Sequence, residues 1–111
     1  MRSWGKANAD TLTRYIQANV EGTRWALNPA NRAALTAVVA ARLKLPPEVV
    51  TESLKVADDQ KGFATDARFD LEGFRNVLRL RADMLGTWGG KPPAPDKYLD
   101  LSYYERALKG L

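Results

Sequence analysis

The chain contains neither cysteine nor histidine. Without cysteine there is no disulfide, no thiolate nucleophile and no cysteine metal site, and the redox compartment is left open. Without histidine, a Ser-His-Asp triad, a histidine general base and a His-ligated zinc site are excluded, which removes most of the common catalytic machinery. Long apolar runs are missing as well. The most apolar stretch, residues 33–43, is interrupted by Thr36 and Arg42 and is far shorter than the about 20 residues that cross a bilayer, so no membrane insertion is expected. The opening residues Met1-Arg2-Ser3-Trp4-Gly5-Lys6 lack the apolar segment of a secretory signal; taken as a complete gene product, the chain is expected in the cytoplasm. Strict apolar/polar alternation is absent, and with it any candidate strand.

What remains is the composition of one folded unit. Hydrophobic residues make up 45% of the 111 and charged residues 27%, enough for a single core over residues 1–111 and too little chain for two. The formal charge of +4 raises the question of an anionic partner. Its basic residues, however, are interrupted by acids, as between Glu72 and Arg75 and between Arg79 and Asp83. That pattern describes solvated faces better than a nucleic-acid surface.

Periodicity predicts about five helices in a small all-α bundle. Asn8 is a candidate N-cap, with Asp10 placed where the helix dipole favours an anion. Leu12, Tyr15, Ile16, Val20, Thr23 and Leu27 then recur at helical spacing. Asn28-Pro29 ends this helix and starts a second, with Leu35, Val38, Val39 and Leu43 as its stripe and several alanines that permit close helix approach. Pro46-Pro47 opens a third, with Val49, Val50, Leu54 and Ala57 inward. Residues 58–69 read as an irregular connection whose ends are pinned by Phe63 and Phe69. Asp70 caps a fourth helix, stopped by Gly89-Gly90, with Leu71, Phe74, Leu78 and Leu85 aligned and Val77, Met84 and Trp88 on an adjacent ridge. Lys91-Pro92-Pro93-Ala94-Pro95 is extended, and Ser102 with Glu105 fits a capping box for a last helix. Tyr98, Leu99, Leu101, Tyr103 and Tyr104 are expected to dock it.

The candidate chemical sites are weak. The second and third helices mimic a helix-turn-helix, but the third opens on Glu48 and Glu52 where phosphate contacts belong. Asp58, Asp59, Asp66 and Asp70 miss the spacing of a calcium loop, and Gly89-Gly90-Lys91 lacks the rest of a phosphate loop. Neither a metal nor a cofactor is expected. Paired acids such as Asp58 and Asp59 read as solvated carboxylates, so the chain is not expected to be an enzyme.

In order along the chain stand Asn28-Pro29-Ala30-Asn31-Arg32, Leu43-Lys44-Leu45-Pro46-Pro47-Glu48, Phe69-Asp70-Leu71-Glu72-Gly73-Phe74-Arg75, Trp88-Gly89-Gly90-Lys91-Pro92-Pro93, Tyr98-Leu99-Asp100 and Tyr103-Tyr104-Glu105-Arg106-Ala107-Leu108. Together these resemble the C-terminal region of ABC-transporter substrate-binding proteins of the NMT1/THI5-like, nitrate/sulfonate/taurine group. The resemblance implies the helical last third of a two-lobed α/β receptor in the periplasm, which in the parent delivers a small organic or anionic ligand to an ABC permease. It places the ligand residues mainly upstream, so no ligand contact is carried onto this chain. Helices shaped to cover a sheet expose apolar stripes without it. The expected partner is therefore the missing lobe of the parent receptor or a second copy, through a face made of Phe74, Val77, Leu78, Leu85 and Trp88. The alternative is a small helical adaptor or nucleic-acid-binding protein using Arg75, Arg79 and Arg81.

Overall fold

A computed structural model describes residues 2–111 and is all-helical, with no strand among the described residues. Six α-helices follow one another: α1 (Arg2–Ala7), α2 (Ala9–Leu27), α3 (Arg32–Leu43), α4 (Pro47–Asp59), α5 (Leu71–Leu85) and α6 (Ser102–Lys109). Short 3-10 turns at Pro29–Asn31, Thr65–Ala67, Thr87–Gly90 and Pro95–Lys97 punctuate them. The five expected helices are all present, and α1 is an addition.

Local chemistry sets the boundaries. Asn28 Oδ1 accepts a hydrogen bond from the Ala30 amide at 3.0 Å, and Asp70 Oδ1 accepts one from the Gly73 amide at 2.8 Å. Each satisfies a donor that the first helical turn leaves orphaned. Pro47 opens α4, where a proline loses no hydrogen bond. Two expected caps are replaced. Asn8 turns its side chain back to donate to the Trp4 carbonyl at 2.9 Å, because α1 occupies the space ahead of it. At α6 the Ser102/Glu105 box does not form; Asp100 Oδ1 accepts from both the Ser102 amide (3.1 Å) and the Ser102 hydroxyl (2.6 Å). The fourth expected helix stops earlier than Gly89-Gly90, since Gly86 adopts a left-handed φ of 61° directly after Leu85.

Packing is pairwise. On α2 the residues Thr13, Gln17, Val20 and Arg24 share one stripe, which meets α6 and the turn at residues 65–67. Gln17 Nε2 donates to the Ala107 carbonyl at 3.3 Å, Tyr104 Oη donates to the Asp66 carbonyl at 3.0 Å, and Val20 and Ala107 are wholly buried. The α3–α4 hairpin closes a second cluster on Ala40, Val50 and Leu54, flanked by Leu35 and Val39. Helix α5 approaches no other helix; only the short turns that follow it fold back upon it, and its buried residues are Leu78 and Ala82.

The result is an open bundle. Its radius of gyration is 17.8 Å, against about 13 Å for a compact chain of this length. It exposes 8500 Å², whereas a folded monomer of this mass exposes about 6100 Å². Val38 and Leu43 on α3, and Val49 on α4, were expected inside but lie exposed, because α4 has no helical neighbour but α3, and α3 none but α4 and α2.

Candidate functional site

An apolar groove of about 730 Å³ lies between α2 and the α3–α4 hairpin. Its floor along α2 is made of Ala18, Gly22 and Ala26, one helical turn apart; Leu35, Val39 and Leu54 form the opposite wall. Tyr15 and Phe63 also line it, and both are exposed, where Phe63 was expected to pin the connection to the core. The two polar side chains of α2 along the groove are turned onto their own helix: Asn19 donates to the Tyr15 carbonyl and Thr23 to the Asn19 carbonyl, each at 2.8 Å. Arg32, the one charged lining residue, is engaged by Asp58. Sites for small ligands orient them with a few convergent polar groups, and this groove presents a nearly continuous hydrocarbon surface instead.

Helix α5 supplies the second feature. Val77, Leu80 and Met84 recur at spacings of three and four and lie on the side opposite buried Leu78 and Ala82. Their exposures of 59%, 57% and 72% make an uncovered apolar ridge. The five residues expected to form a self-association face are thereby divided. Val77 and Leu85 are exposed, Phe74 is half-buried in an edge-on contact with Phe69 (ring centroids 5.4 Å apart), and Leu78 is only 6% exposed. Trp88 is half-buried and donates from Nε1 to Tyr98 Oη at 3.0 Å. Leu78 leaves the face because residues 86–98 fold back over that side of α5. Sequence reasoning set Met84 beside Val77 but missed Leu80, although the 77–80–84 spacing carried the signal.

Charge is dispersed over the chain. Arg24 holds Asp66 in a two-pronged pair, Nε to Oδ1 at 2.7 Å and Nη2 to Oδ2 at 3.2 Å. The hydrogen bond from Arg24 depresses the Asp66 pKa, and the same bond raises that of Arg24. Asp66 and Ala67 both have positive φ, 57° and 50°, a conformation costly for non-glycine residues; Arg24 and Tyr104 pin this corner. Asp100 also titrates below its usual range, chiefly through the Ser102 hydroxyl and then the Ser102 amide. Arg79 on α5 donates to Asn76 at 2.9 Å, while Arg81 points away from Arg75 and Arg79 around the helix. Among the described residues no group of three or more acidic side chains is placed to hold a metal ion, and no helix is long and apolar enough to cross a membrane.

No protein-family model, no curated protein and no solved structure matches this chain.

Proposed function

We propose that this chain is the helical C-terminal part of a periplasmic solute-binding protein of the NMT1/THI5-like group, serving ABC-type uptake of a small organic or anionic ligand. Its role in that reading is to cover the receptor's α/β lobe; it does not bind ligand on its own. The motif order along the sequence supports the family. The observation that carries the role is the unclosed surface: about 2400 Å² more than a compact chain of this mass exposes, with large apolar side chains exposed on α2, α3, α4 and α5 alike. Such surface is what helices leave behind when the sheet they cover is absent, and it is of the size that obligate interfaces bury.

The test is to mix the chain with the separately produced α/β lobe of a nitrate- or sulfonate-type receptor and follow both co-elution and an apolar fluorescent dye. One-to-one association with loss of dye signal is expected. Absence of association, together with absence of dye binding by the chain alone, contradicts the reading. Steeply salt-dependent binding to duplex or single-stranded nucleic acid would instead favour the small adaptor or nucleic-acid-binding alternative.

A further inference from the structure

A separate concavity of about 400 Å³ opens where α2, the segment after the 65–67 turn and the start of α6 meet. Four aromatic residues line it: Tyr15 from α2, Phe69 ahead of α5, and Tyr103 and Tyr104 from α6. Two of them are fixed from outside. Tyr104 Oη donates to the Asp66 carbonyl at 3.0 Å, and the Phe69 ring meets Phe74 edge-on. Asp100 is the one charged residue of the lining, to which no lysine or arginine contributes. We propose that this concavity binds a quaternary ammonium group, its positive charge held by the aromatic rings and the Asp100 carboxylate. The site belongs to this chain and does not rest on the receptor reading, in which the ligand residues lie upstream in the parent.

The carboxylate is both fixed and available. Asp100 Oδ1 accepts from the Ser102 amide and hydroxyl, and these bonds hold its pKa below the usual range; Oδ2 has no hydrogen-bond donor among the described residues. Arg2 and Lys6 are near enough to favour the ionised form, but they line a neighbouring concavity with Trp4. Arg2 donates instead to the Asp96 and Lys97 carbonyls, and no ion pair to Asp100 forms among the described residues. The negative charge beside the rings is therefore open to an external cation. An anion would meet that charge and the negative faces of the rings. A primary ammonium brings three donors that each need an acceptor, whereas Leu12, Ile16, Ala67 and Leu101 complete the wall with hydrocarbon. An alkylated ammonium has no donor to satisfy; its methyl groups rest on hydrocarbon while the ring quadrupoles attract its charge. The volume falls within the about 300–1,000 Å³ of small-molecule sites.

The probe is choline, titrated into the chain by calorimetry and by NMR of the tyrosine rings, with its neutral tert-butyl isostere as control. Saturable one-to-one binding of choline is expected, about fivefold tighter than that of the isostere. Tyr15→Leu removes an exposed ring, and Asp100→Asn removes the charge while keeping an acceptor for Ser102. Each should weaken choline binding roughly two- to fivefold, and Tyr15→Phe should retain it; far-UV circular dichroism checks that the variants fold. Vesicles of phosphatidylcholine are titrated in parallel. Binding of choline without the vesicles assigns a free small cation as ligand, and binding of both, with choline displacing the vesicles, assigns a lipid head group. No saturable choline binding, equal binding of the isostere, or folded Tyr15→Leu and Asp100→Asn variants that bind as the unaltered chain does would each overturn the proposal. Association with a receptor lobe is read separately by the lobe-mixing experiment.

Discussion

Truncating Val20 to alanine should be among the most damaging single changes to the isolated chain. Val20 is the largest wholly buried side chain, on the α2 stripe that meets α6 and the 65–67 turn. Removing two carbons forfeits about 1.6 kcal/mol of transfer free energy, and the cavity left between the two helices raises the loss to about 2–3 kcal/mol. The core otherwise consists of few buried apolar residues, so this is a large fraction of the stability such a chain can hold. The assay is urea unfolding followed by far-UV circular dichroism, with amide exchange on α6 as a local reading. Protection of Ala107 and its neighbours should fall, because Gln17 and Val20 hold that helix in place. Val38→Ala, at a half-exposed site on α3, is the control and should cost under about 0.5 kcal/mol. A Val20→Ala loss no larger than the control would refute the reading of Val20 as the packed anchor of the α2–α6 seam.

Asp70→Ala should cost about 1 kcal/mol by removing the cap on the Gly73 amide, read as a lowered urea midpoint. Gly86→Ala should cost about 1 kcal/mol by forcing a Cβ into a left-handed φ of 61°, visible in thermal melts. Acid should weaken the fold through Asp66 and Asp100, whose folded pKa values lie below the ordinary 3.8. Their contribution is complete above that value and is lost as the pH falls through the lowered ones; melting temperatures between pH 6 and 2 should show it, and Arg24→Gln should shrink the Asp66 share.

Helices announced by a cap and a stripe were legible in the sequence. Asn28, Pro47 and Asp70 mark starts where side-chain acceptors or a fixed φ replace missing backbone partners, and α3, α4 and α5 follow from them; α2 and α6 were legible from their stripes although their expected caps do not form. Helix α1 was not legible, because Gly5 and the polar residues around it form no apolar stripe; it persists by packing Gly5 against Tyr103 and Leu12. The end of α5 was misplaced because three glycines compete within five residues, and only the backbone shows that Gly86 turns first. Helical periodicity identifies which residues share a face but not which faces find a neighbour. Leu78 and Val77 are adjacent in sequence and both apolar, yet residues 86–98 cover one and leave the other bare. The Arg24–Asp66 pair joins positions 42 residues apart, beyond the reach of any local pattern.

The central claim, that the chain alone leaves its apolar surface unclosed, is tested most directly by a concentration series in small-angle X-ray scattering. In the dilute limit the radius of gyration is expected near 17.8 Å, with apparent mass rising above that of one chain as concentration increases. A particle of constant monomer mass and a radius of about 13 Å, as expected for a compact chain of this length, would contradict it.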